Sequence, residues 1–138
     1  MGEEYIVKYV ISENVESGII QTYENDDDDD VEIVLEIGDI SITKQADTFF
    51  EALIEMRKEL EGKGIKLLCK GCSRNVYPSA MILDMGSGRK AYTLTMGEQA
   101  KMNSLVDIFE PCQIEEYATV EEQYNFFNKW FNSVGRKR

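Results

Sequence analysis

Between Val31 and Ile37 apolar residues fall at every second position, Val31, Ile33, Leu35 and Ile37, with Glu32, Val34 and Glu36 between them. Strand side chains point to opposite faces in turn, so this order buries one face of a sheet, whereas a helix would scatter the same residues around its axis. Gly38-Asp39 supplies turn chemistry, and Ile40 to Thr43 returns as the partner of an antiparallel hairpin. The period then lengthens. Starting from Asp47 as N-cap, Phe49, Leu53, Met56 and Leu60 recur at helical spacing, flanked by Phe50 and Ile54, while Glu51, Glu55, Arg57, Lys58 and Glu59 take the other faces. Gly62 and Gly64 stop this helix.

Further strands are expected at Tyr5 to Ser12, Gly18 to Tyr23, Ile65 to Cys69, Ala91 to Thr95 and Val106 to Phe109, the last stopped by Pro111. A C-terminal helix opens with a capping box of Thr119 and Glu122 and carries a stripe of Val120, Tyr124, Phe127, Phe131 and Val134, broadened by Phe126 and Trp130. It reads as a lid on the sheet. At 138 residues, 43% of them hydrophobic, the chain has enough apolar surface for one core and no room for separate catalytic and cofactor-binding halves. The expectation is therefore a single α+β domain over residues 1–138: a mainly antiparallel sheet of about five or six strands packed against helices at about 47–61 and 119–134.

The chain has no histidine, which excludes Ser-His-Asp and Cys-His nucleophiles and imidazole metal ligands. With 15 basic against 26 acidic side chains the net charge is −11, and direct binding to nucleic acid, which needs a clustered basic face, is disfavoured. The acidity is uneven: residues 1–68 carry −12, residues 69–104 carry +3 and residues 105–138 carry −2. No stretch approaches the roughly 20 apolar residues that span a bilayer, and MGEEYIVKYV lacks the regions of a signal peptide. The expected location is the cytoplasm, with Cys69, Cys72 and Cys112 as reduced thiols.

Three segments carry chemistry. Residues 24–32 hold seven carboxylates in nine positions, Glu24, Asp26, Asp27, Asp28, Asp29, Asp30 and Glu32. They read as a solvated, flexible hairpin loop at about 24–31, or as an electrostatic arm that steers a basic partner. An EF-hand is excluded, because positions 6 and 12 counted from Asp26 are Val31 and Ile37 where that loop needs Gly and Glu. Cys69-Lys-Gly-Cys72 is half of a zinc site, and with only Cys112 besides it the other half is missing, so two ordinary cysteines are expected and no metal. Residues 73–90, SRNVYPSAMILDMGSGRK, place Arg74, Asn75, Tyr77, Asp84 and Arg89 in a connection that can form an interface or line a small-molecule pocket, but match neither Gly-rich phosphate motif.

An acidic, histidine-free α+β chain with an RNVYPSAM…DMGSGRKAY segment resembles the immunity proteins of bacterial toxin and immunity pairs, including those of contact-dependent inhibition. The resemblance implies a cytoplasmic protein that binds a cognate toxin domain, such as a basic nuclease, and blocks it, with no catalytic step or cofactor of its own. The acidic half fits a partner that normally holds phosphate. A mimic of DNA charge is the alternative within the same class; a small enzyme or ligand-binding domain centred on residues 73–90 is the alternative outside it.

Overall fold

The computed structural model describes residues 2–24, 30–78 and 88–135. Strands β1 (Gly2–Ile11), β2 (Asn14–Glu24), β3 (Val31–Ile37) and β4 (Ile40–Ala46) form an antiparallel meander, helix α1 (Phe49–Gly62) crosses it, and β5 (Ile65–Leu68) returns to pair antiparallel with β1. The sheet order is β4-β3-β2-β1-β5. A second antiparallel sheet, β6 (Val76–Tyr77), β7 (Lys90–Thr93) and β8 (Leu105–Asp107), is followed by α2 (Val120–Gly135). The fold is the expected α+β, antiparallel with two helices, and its strands divide into two sheets.

The alternation in β3 is realised: Val31, Ile33, Leu35 and Ile37 are buried and face Phe49, Leu53, Met56 and Leu60 of α1 within one apolar core. The β1–β2 pair is longer than the sequence pattern suggests, in register from Gly2 opposite Tyr23 to Ile11 opposite Asn14. Its turn is Ser12-Glu13, both at positive φ (50° and 67°), the conformation of a twisted two-residue hairpin turn without its usual Asn or Gly. Gly18 lets β2 approach β3, since a Cβ there would lie 2.5 Å from Ile37 Cγ2 and 2.8 Å from the Glu36 carbonyl oxygen.

Helix α1 is capped by Thr48 and not by Asp47: the Glu51 amide donates to Thr48 Oγ1 at 3.1 Å. The capping box of α2 forms as expected, with Glu122 N donating to Thr119 Oγ1 (3.1 Å) and Thr119 N to Glu122 Oε1 (2.9 Å). The backbone bond from Thr119 holds the Glu122 carboxyl below its usual range. The expected lid is rotated, however. Tyr124 and Phe131 are 51% and 59% exposed, and the buried side turns on Gln123, while Phe126, Phe127 and Trp130 pack on Tyr92 and Leu94. A sheet whose outer strand β6 has two residues offers too narrow a floor to cover the whole stripe.

Candidate functional site

Strand β2 ends at Glu24 and β3 begins at Val31, so the acidic run bridges the tip of a hairpin. Asp26, Asp27, Asp28 and Asp29 lie outside the described residues; Glu24 and Asp30 are exposed and Glu32 is half-buried beside them. Antiparallel pairing brings the start of β1 to the same end of the sheet, with Glu3 opposite Thr22 and Glu4 opposite Gln21. Carboxylates distant in sequence thereby join the run.

Arg89 reaches this end from the connection before β7. Its guanidinium pairs with Glu3 through Nη1, bonds Thr22 Oγ1 at 3.2 Å and lies 3.8 Å from Glu24 through Nη2, and rests 4.8 Å over the Phe49 ring. The Tyr5 hydroxyl lies 3.3 Å from Glu3 and 3.4 Å from Asp107. Burial, with the Asp107 charge next in importance, pushes Tyr5 up to about 12, so its phenol is a proton donor throughout the ordinary pH range. Beside this cluster an open depression of about 200 Å³ is lined by Gly2, Glu3, Glu4, Gln21 and Tyr23. Such a surface attracts cations and repels phosphate.

The other described residues singled out in the connecting segment, Arg74, Asn75 and Tyr77, do not converge there. Arg74 is exposed on a turn, its amide donating to the Glu116 carbonyl at 2.9 Å. Asn75 exchanges bonds with Leu94, its carbonyl accepting at 2.6 Å. Tyr77 stands in an aromatic layer, edge-on to Phe50 (5.0 Å) and stacked on Phe127 (4.2 Å), and burial raises its phenol. Asp84 lies outside the described residues. Among the described residues of this group Arg89 alone adjoins the acidic end, and its cationic head is engaged within the chain.

The CxxC pair encloses a 3₁₀ turn, Lys70–Cys72, with the two Sγ atoms 3.6 Å apart and buried. The hydrogen bond to Cys72, then burial, raises the Cys69 thiol well above its usual range. Burial works to raise Cys72 as well, yet the bond from Cys69 and the Arg57 guanidinium outweigh it and hold that thiol below its usual range. Cys112 is pushed up to about 11 by burial. No group of three or more His, Cys, Asp or Glu side chains among the described residues is placed to hold a metal ion.

What the turn does hold is the junction of the two sheets. Arg57, expected on an outer face of α1, is 1% exposed and donates to the Gly71 carbonyl (3.2 Å), Gln123 Oε1 (2.7 Å) and the Ala118 carbonyl (2.9 Å). Gln123 Nε2 lies within hydrogen-bond range of the carbonyls of Gly71 (2.8 Å), Ser73 (2.8 Å) and Val76 (3.0 Å). Gly71 is required by close packing, because a Cβ would lie 2.5 Å from Leu53 Cδ2. Sequence reasoning missed Arg57, Gln123, Glu3, Glu4 and Tyr5. Helical spacing held the signal for the first two: Arg57 follows Leu53 by four and Gln123 precedes Phe127 by four, each on an apolar face.

Comparison with known protein families and with curated proteins finds no match to this chain. No helix among the described residues is long and apolar enough to cross a membrane.

Proposed function

We propose that this chain is an inhibitor that acts by binding, an immunity-type protein that neutralises a basic toxin domain by occluding the surface with which the toxin holds its phosphate-bearing substrate. The observation that carries this reading is the gathering of Glu3, Glu4, Glu24 and Glu32 from three strands at the end of the sheet where the acidic run is attached. Focused negative potential accelerates encounter with a basic protein and disfavours wrong partners. In this reading the protein works in the cytoplasm, where its cysteines remain thiols. The test is co-expression with the product of the neighbouring gene. Co-purification of a basic protein, together with relief of its toxicity, supports the reading; a neighbour that neither binds nor harms cells, or turnover of a small molecule by the purified chain, overturns it.

A further inference from the structure

Cys69 and Cys72 flank a turn that is pinned from several sides. The Lys70 amide donates to the Glu110 carbonyl (2.7 Å), the Gly71 amide to Ile108 (2.8 Å) and the Cys72 amide back to Cys69 (2.8 Å). The carbonyls of the turn in their turn seat α2, that of Gly71 accepting from Arg57 and Gln123 and that of Cys72 from the Ala118 amide at 3.0 Å. Gly71 is hemmed in, since a Cβ there would lie 2.5 Å from Leu53 Cδ2 and 3.0 Å from Ile108 Cβ. The backbone between the cysteines therefore has little room to move, and it holds their sulfurs 3.6 Å apart with both residues fully enclosed.

Burial alone accounts for a cysteine in a core, where it packs as a small apolar residue. It does not account for two sulfurs aimed at each other, nor for their asymmetry. Cys112, enclosed without such a pairing, is raised by burial, whereas Cys72 is held low by the bond from Cys69 and by Arg57. Arg57 Nε is buried and has no hydrogen-bond partner among the described residues, so the cation facing Cys72 keeps one donor uncommitted. The thiolate is the reactive form, and this surrounding favours it on Cys72 over Cys69. We propose that Cys69 and Cys72 are a dithiol site at which a peroxide closes a disulfide, Cys72 reacting first and Cys69 resolving it.

The Cys72 thiolate attacks one peroxide oxygen, the O–O bond breaks, and the departing hydroxide takes up the proton that Cys72 released. Cys72 is then a sulfenic acid and one water has left. The Cys69 sulfur attacks that of Cys72, the S–O bond breaks, and the second hydroxide leaves as water with the Cys69 proton. The sulfur pair has lost two electrons and the peroxide has gained them. Enclosure demands an oxidant close to water in size and shuts out bulky disulfide reagents. In a reducing compartment the pair stays open, and it closes only under oxidative conditions. The site goes beyond the binding reading and does not depend on it.

The full chain, reduced and freed of reductant, is treated with hydrogen peroxide and read by intact mass and tryptic mapping. The expected product has lost two hydrogens, keeps its native circular-dichroism spectrum, and has Cys69 joined to Cys72, visible as two linked peptides because trypsin cuts after Lys70. In denaturant it shows one free thiol, Cys112, where the untreated chain shows three. Cys112→Ala is expected to close like the wild type, and Cys69→Ala to gain oxygen at Cys72 several-fold faster than Cys72→Ala gains it at Cys69. The wild-type measurement stands whatever the stability of the variants. A link from Cys72 to Cys112, oxygen gain in place of hydrogen loss, closure only once the native spectrum is gone, or a chain left reduced by peroxide that fully oxidises glutathione in a parallel sample overturns the site. Equal or reversed rates in the two single variants overturn the order of reaction.

Discussion

The two sheets are built on different chemistry. Around the five-stranded sheet and α1 the buried residues are almost all apolar, Ile20, Ile33, Leu35, Phe49, Leu53 and Met56 being fully enclosed. The three-stranded sheet shares that core through Val76 and Ala91, but the apolar set it encloses with α2 is small, Tyr92 and Leu94 with half-buried aromatics, and α2 is further tied to the rest by Arg57, Gln123 and backbone carbonyls. Apolar burial is non-directional and tolerates exchange of shape, whereas a buried polar network leaves unsatisfied groups as soon as one member is lost. The lesson is that the seat of α2 depends on a few directional hydrogen bonds beside a small apolar contact, while the five-stranded sheet rests on apolar burial and presents its charge to solvent.

The strongest way to break this comparison is at the two centres. Phe49→Ala, which empties a fully buried site against Phe109, is expected to cost about 3 to 5 kcal/mol in denaturant unfolding. Arg57→Ala is expected to cost a similar amount, about 3 to 5 kcal/mol, through orphaned acceptors rather than a cavity alone, the scale of breaking a buried charged network. Phe127→Ala should then cost only about 1 to 2 kcal/mol, because that ring is half-buried. An equal loss at Phe127 and Phe49 would show that α2 closes a true second core.

Smaller effects sharpen the contrast. Replacing Asp26 to Asp30 by Gly and Ser is expected to change stability by less than about 1 kcal/mol, as for ordinary surface substitutions; a larger loss would place the run in the packed structure. Alkaline titration probes both regions, since burial lifts Tyr117 at the junction and Tyr5 at the acidic end each to about 12. The unfolded phenol ionises near about pH 10, so this contribution is intact below that value and is lost as pH rises toward 12. Tyr117→Phe should flatten part of the decline in melting temperature between those limits; an unchanged slope would contradict its burial.

Much of the first region was legible in the sequence because its signals are local. The alternation of Val31 to Ile37 and the helical spacing from Phe49 to Leu60 each lie within a few turns or strand residues, as does the Thr119 and Glu122 box that opens α2 in the second region. The Ser12-Glu13 turn was not legible, because its positive φ values fall on residues that rarely adopt them. Strand β6, at two residues, is too short to show a period. Of the candidate site, the carboxylates from Glu24 to Glu32 could be read directly, whereas Glu3 and Glu4 joined them only through β1–β2 pairing.

The central claim is that the acidic end acts on encounter with a basic partner, and association kinetics at two salt concentrations test it most directly. With Asp26 to Asp30 replaced by Asn, binding of the neighbouring gene product followed by stopped flow should show association slowed by about tenfold or more at low salt. The difference should shrink as the Debye length falls toward about 3 Å at 1 M, with dissociation little changed. A loss that is independent of salt and confined to dissociation would mean that the run is a buried contact, and would contradict the account.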